Sequence, residues 1–282
     1  DNGRLRIRPL AEGIHIVKLG EPIGEQLRFL AIHPPGEIVG ARLRAALPRH
    51  GEKLLAGDPY RIIVMGDSVT ATGDFEGLLK MLLARATGNA RIEVIERAYP
   101  GRSVDAAVRF YRDDVAGQNP DLAMVMYGLN DQAGGVSLAA FLEQSAWLAR
   151  RATQDDHADF VFLQPTPHIA IPVDEATREP DSNPPWYAFR TIRFAESLRP
   201  LAASLDLPLA ETFHAMWGRG GASIEQAARH MWPVYPPSHR RQFHSILETG
   251  GVGDTIHPNA LGNLRIARAV YRSIARPHEP RP

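Results

Sequence analysis

Along this chain the hydrophobic positions fall into two alternating patterns. Continuous apolar runs of strand length stand at "RIIVM" (61–65), "IEVIE" (92–96), "LAMVMYG" (122–128), "DFVFLQ" (159–164) and "LPLAE" (207–211). Between them the spacing changes to a helical period. Phe75, Leu78, Leu79, Leu82 and Leu83 recur at i, i+3, i+4, i+7 and i+8, and Gly88 follows as a stop. Ser103 precedes a second segment (Val104, Ala107, Val108, Tyr111) and Ser137 a third (Leu138, Phe141, Leu142, Leu148). A fourth helix is predicted near 187–204, and a last one in "HPNALGNLRIARAVYRSI", with Asn259 as its cap. Strand and helix in alternation predict an α/β fold, a doubly wound parallel sheet flanked by helices.

Residues 1–58 read differently. Period-two fragments ("RLRIR", "IHIVKLG") and turn signals ("HPPGE", "AGDP") predict a small β-rich appendage there, ahead of a domain spanning 59–282. Two irregular stretches, 165–186 and 217–253, are long enough to suggest functional loops.

Composition narrows the classes. With 44% hydrophobic and 23% charged residues over 282 positions, the chain is of globular rather than disordered type. Lys and Arg number 32 and so do Asp and Glu, and no sustained basic run occurs, so no nucleic-acid partner is expected. No window approaches 18 consecutive apolar residues, so no membrane span is predicted. The absence of cysteine removes disulfides, a thiolate nucleophile and cysteine-ligated metal. The chain begins at Asp1 rather than Met, in keeping with a leader already removed, and a secreted or periplasmic setting is expected over a cytoplasmic one.

Candidate chemistry gathers at strand ends. In an open parallel sheet, ligands bind in the crevice beyond the carboxyl ends of the strands. "GDS" (66–68) ends the first run, "PGRS" (100–103) follows the second and "GLND" (128–131) the third, so all three are expected at one edge. Ser and Asp between strand and helix are ordinarily caps. Here the helical period begins only at Phe75, with Asp74 or Thr72 beside its start, so Ser68 lies about one turn too early for that duty. A serine nucleophile needs a base, and the base an orienting group. "GDTIHPN" places Asp254 three residues before His257, so the carboxylate can hold one ring nitrogen while the other faces Ser68. Alone, D-x-x-H also reads as a turn entering a helix. Donors for a developing oxyanion are available in the backbone N–H groups of Ser68 and Gly101 and the amide of Asn130.

Taken in order, Ser68 in "GDSVT", Gly101 in "AYPGRSV", Asn130 in "YGLND" and His257 in "DTIHPN" resemble the SGNH hydrolases, the GDSL-type esterases and lipases. The resemblance covers about residues 60–276. It implies a flavodoxin-like three-layer α/β/α sandwich, a triad of Ser68, His257 and Asp254, and an oxyanion hole of Ser68, Gly101 and Asn130. No metal or cofactor is expected. Asp67 is read as structural support rather than as the triad acid. The G-x-S-x-G elbow of α/β-hydrolases is missing, because Thr70 occupies its second glycine position.

Fold and triad do not define the substrate. Trp217, Trp232 and Arg240, with several further arginines and histidines in 213–250, suit a polar sugar, and His168 in "PTPH" is a further candidate for lining the site. No concentrated apolar lid segment appears. The expected activity is removal of O-acetyl groups from a carbohydrate, the partner being a small-molecule or oligosaccharide ester. A broad short-chain esterase, a thioesterase, a lysophospholipase and an acyltransferase remain open, as does a noncatalytic glycan-binding domain on the same fold.

Overall fold

The computed structural model describes residues 14–17, 27–30, 37–167, 186–217 and 256–275. Strands β3 (Tyr60–Gly66), β4 (Ile92–Ala98), β5 (Leu122–Met126), β6 (Asp159–Leu163) and β7 (Leu209–Ala210) form a parallel sheet in the order β4-β3-β5-β6-β7. Numbered within the sheet, this is the flavodoxin-like order 2-1-3-4-5, whose switch point lies between β3 and β5. The run at 207–211 contributes only its two central residues as strand.

Alternation along each strand divides the core in two. Ile62 and Val64 of β3, with Leu122, Met124 and Met126 of β5, face one side. Helices α1 (Glu37–Ala46), α4 (Phe75–Thr87) and α10 (Ala260–Ala275) cover them. Ile63, Met65, Ala123 and Val125 face the other side, under α5 (Val104–Asp114), α7 (Leu138–Arg150) and α8 (Trp186–Ser204). The central strands are therefore buried on both faces, which is why they read as unbroken apolar runs.

Helix starts follow local capping. Ser137 caps α7 by accepting from the N–H of Ala140 at 3.2 Å, and Asn259 caps α10 by accepting from Leu261 and Gly262 at 2.9 and 3.0 Å. Gly88 ends α4 at φ +76°.

Among the described residues of the first 58, strand is accompanied by helix. A two-stranded antiparallel ribbon, β1 (Ile14–Val17) with β2 (Leu27–Leu30), is present. It is followed, however, by α1 and by α2 (Gly51–Leu55), and Leu43, Leu47 and Leu54 are fully buried in the same core as β3. Leu43 and Leu47 are four apart, one helical turn, and so present one apolar edge to the sheet.

Candidate active site

Strand β3 brings Ser68 to the carboxyl edge of the sheet. Its last residue, Gly66, is followed by an immediate reversal into the short helix α3 (Ser68–Ala71), and a Cβ at Gly66 would lie 2.0 Å from Thr70 Oγ1. The first helical turn after β3 therefore starts at Ser68 rather than at Phe75. Ser68 is indeed not a cap: Asp67 caps α3, its Oδ1 accepting from the N–H of Val69 at 2.9 Å. As the first residue of α3, Ser68 has an N–H without an intrahelical partner, and its side chain is half-buried. Asp74 occupies the cap position of α4 without a side-chain capping bond.

Strand β4 brings the second segment. Pro100 and Gly101 form the centre of a turn closed by Arg102 N–H donating to the Tyr99 carbonyl at 3.1 Å. Gly101 has φ +74°, the value a type II turn demands at that position, while the space a Cβ would fill is open. Conformation rather than crowding thus calls for glycine, and the open side leaves its backbone approachable.

Strand β5 leads into α6 (Leu129–Ala133), which carries Asn130 and Asp131. Asn130 Nδ2 donates to Asp67 Oδ2 at 3.2 Å and to the Arg102 carbonyl at 3.1 Å. A single amide therefore joins all three strand-end segments. Asp131 adds a second tie: Oδ1 accepts from Val104 N–H at 3.0 Å, and Oδ2 accepts from Gly128 N–H at 3.0 Å. The carboxylate thus holds the start of α5, where Ser103 makes no side-chain capping bond. Its role was not drawn from the sequence. The available signal was an acid at the third position of α6, placed to reach back to the N–H that precedes the helix.

The C-terminal segment reaches the same edge through Asn263. Its Nδ2 donates to the carbonyls of Pro258 and Asn259 at 3.2 and 3.1 Å, and its Oδ1 accepts from Asp74 N–H at 3.2 Å. That side chain pins the residues beside His257 to the start of α4. The His257 imidazole lies within electrostatic reach of Asp67, whose charged form it favours.

Electrostatics at this edge are dominated by burial. Burial pushes the Asp67 carboxyl up to about 7, aided by Asp131, while the Val69 N–H and His257 pull it down. Burial likewise raises Asp131 to about 6 against the N–H bonds from Val104 and Gly128. Tyr127, immediately after β5, has its phenol raised by burial and by the Asp67 and Asp131 carboxyls. Among the described residues no group of three or more His, Asp or Glu is arranged to hold a metal ion.

Ser68, the Gly101 turn and Asn130 are therefore drawn together, and His257 lies within electrostatic reach of Asp67 beside them. Asp254 lies outside the described residues, as do His168, Trp232 and Arg240. Trp217, at the end of α9 (Thr212–Trp217), is half-buried, with its ring stacked on Phe213 at 6.0 Å and packed against the core shared with α10.

Known structures share this architecture. An alpha/beta hydrolase enzyme from the metagenome of Lake Arreo, Spain, superposes with TM-score 0.54 at 18% identity, covering 76% of this chain and 94% of that one. An acetylxylan esterase from Geobacillus stearothermophilus gives TM-score 0.53 at 17% identity with the same coverage, 76% and 94%. No curated protein sequence matches the chain. Residues 64–265 match the GDSL-like lipase/acylhydrolase family. That match spans the strand ends bearing Ser68, Gly101 and Asn130 and the segment bearing His257, and by it this chain belongs to the GDSL-like lipase/acylhydrolase family.

Proposed function

We propose that this protein is a serine esterase that removes O-acetyl groups from a carbohydrate. The observation that carries the reading is the Asn130 amide. By bridging the Asp67 carboxylate and the Arg102 carbonyl, it gathers Ser68, Gly101 and itself at the switch-point edge of the sheet. Ser68 is the nucleophile, His257 the base, and Asp254 the carboxylate that orients the base. Ser68 Oγ attacks the ester carbonyl carbon while its proton passes to His257 Nε2. The resulting oxyanion is held by the N–H groups of Ser68 and Gly101 and by Asn130. Collapse expels the alcohol, which takes the proton from His257, and leaves an acyl-enzyme. Water then attacks the acyl carbon, again giving its proton to His257, and the second collapse restores Ser68 and releases the acid.

The carbohydrate acetate assignment rests on two supports. One is the aromatic and cationic composition of the stretch 213–250 together with the lack of an apolar lid in the sequence. The other is the shared fold with an acetylxylan esterase. The test is turnover of p-nitrophenyl acetate, with acetate release from acetylated oligosaccharides measured beside esters of rising acyl length. Ser68→Ala is expected to lose at least about 10⁴-fold in kcat, on the scale of other serine nucleophiles. Equal turnover by wild type and Ser68→Ala would sink the esterase reading. A preference for long acyl esters over sugar acetates would overturn the substrate assignment alone.

A further inference from the structure

Asn130 is asked to donate to an oxyanion, yet an amide side chain can present either nitrogen or oxygen to the site. What decides the matter is the pair of acceptors around it. Asp67 Oδ2 lies 3.2 Å and the Arg102 carbonyl 3.1 Å from Nδ2. With Asp67 ionised, as above its value of about 7, the turned-over amide would set its own oxygen against a carboxylate and a carbonyl, three acceptors with no hydrogen among them. The two oxygens of Asp67 also have separate tasks, since Oδ1 is committed to the Val69 N–H. Asp67 is almost fully buried, with 2% of its surface exposed, so its carboxylate is largely shielded from bulk solvent.

We infer that Asp67 is a positioning residue for the oxyanion donor: its carboxylate holds one hydrogen of the Asn130 amide and thereby fixes the nitrogen toward the reacting carbonyl. The inference rests on the serine-esterase reading. The bond to Asp67 is the more buried of the two and the bond to Arg102 the more exposed. An incoming oxyanion takes the hydrogen that Arg102 holds, while Asp67 keeps the other and prevents rotation. The donor is then preorganised before the charge develops, which is when a hydrogen bond in a water-poor site counts most. This duty is distinct from capping α3, because each uses a different oxygen of the same carboxylate.

The two duties separate experimentally. Asp67→Ser keeps a short hydroxyl able to cap Val69 but lacks the reach to Asn130. Asp67→Asn keeps the size but leaves one acceptor oxygen for two donors. Both are measured on p-nitrophenyl acetate, alone and combined with Asn130→Ala, at a pH a unit or more above the Asp67 value of about 7. Thermal melting identifies which single variants are folded, and Asp67→Ser, which retains the cap, is the primary reading. In the Asn130 background Asp67→Ser is expected to lower kcat roughly 10- to 100-fold, with KM within about 3-fold. In the Asn130→Ala background the same change is expected to cost less than about 3-fold, because the group it positions is gone. Equal losses in both backgrounds, with Ser68→Ala inactive, would overturn the inference and leave the esterase reading standing. Wild-type turnover by Ser68→Ala would overturn both.

Discussion

The two ends of the parallel sheet each carry a pair of buried aspartates, and at the amino edge one of the pair is matched by a lysine. At the amino edge, Asp121 meets Lys53 Nζ at 2.6 Å and His50 Nδ1 at 3.4 Å, and accepts from Arg61 N–H at 2.8 Å. Asp159, at the start of the next strand, accepts from the N–H groups of Arg49 and His50 at 3.1 and 2.9 Å. At the carboxyl edge, Asp67 and Asp131 bond to backbone N–H groups and one amide. No lysine or arginine is among those partners. Their carboxyls accordingly stand at about 7 and about 6, raised first by burial. At the amino edge the Asp121–Lys53 ion pair ties α2 to the sheet, while Asp159, its carboxyl also raised by burial, holds the turn between α1 and α2 through backbone N–H groups. The carboxyl edge keeps its acids with neutral donors, so they orient groups around Ser68 without bringing a fixed cation into the site.

Removing an amino-edge acid should make that contrast most visible. Asp121→Ala leaves the Arg61 N–H without its acceptor and Lys53 without its counter-ion. We expect a loss of about 3 kcal/mol in unfolding free energy, read by urea denaturation, with kcat on p-nitrophenyl acetate unchanged at a temperature where the variant is folded. A tenfold fall in kcat in the folded variant would show that the two edges are not functionally separate.

The same contrast explains what was legible in the sequence. Ser68, Gly101, Asn130 and His257 lie in short motifs after strands or before a helix, and topology alone sends strand ends to a common edge. The amino-edge partners have no such rule: Lys53 and Asp121 are 68 residues apart and in no motif. Helices α1 and α2 were hidden in a segment whose period-two fragments suggested strands. Their buried leucines are few, and the helices are separated by Pro48. Helix α3 has four residues, too short to display a helical period, and became visible only through Asp67 capping Val69. The spacing that excludes Ser68 from capping α4 holds, although a short helix begins at Ser68 itself with Asp67 as its cap.

Asn263 tests whether the carboxyl edge combines fastening with function. It is buried at 5% exposure and joins Asp74 to the carbonyls of Pro258 and Asn259, the residues next to His257. Asn263→Ala removes the acceptor of the Asp74 N–H and the side-chain donor to the Pro258 carbonyl, while the Asn259 carbonyl keeps the backbone N–H of residue 263, and should cost about 2 kcal/mol of stability. Unlike Asp121→Ala, it is also expected to lower kcat by roughly 10-fold, because His257, in its proposed role of base, loses alignment when displaced by a fraction of an ångström. Full activity in a destabilised Asn263→Ala variant would mean that His257 is held by other contacts.

The smallest effect concerns a buried acid beside the carboxyl edge, one of whose oxygens has no hydrogen-bond partner. Glu76, in the first turn of α4, is 8% exposed, and its Oε1 has no hydrogen-bond partner. Burial, followed by the neighbouring Glu96 and Asp74, raises its carboxyl from 4.5 to about 8 against a backbone N–H that lowers it. A folded-state value above the unfolded one means that the native protein holds the extra proton between the two. The resulting stability is full below 4.5 and is lost as pH rises through about 8. Glu76→Gln carries no titrating proton and should escape that loss. By thermal melting, the variant is expected to exceed wild type by about 1 to 2 kcal/mol near pH 9, less than the full shift because its own amide oxygen stays unpartnered. At about pH 4 the two should converge, the wild-type side chain being neutral in both the folded and the unfolded state there. A difference independent of pH would place the cost of Glu76 in its shape rather than its charge, and would detach it from the burial-raised carboxyls of Asp67 and Asp131.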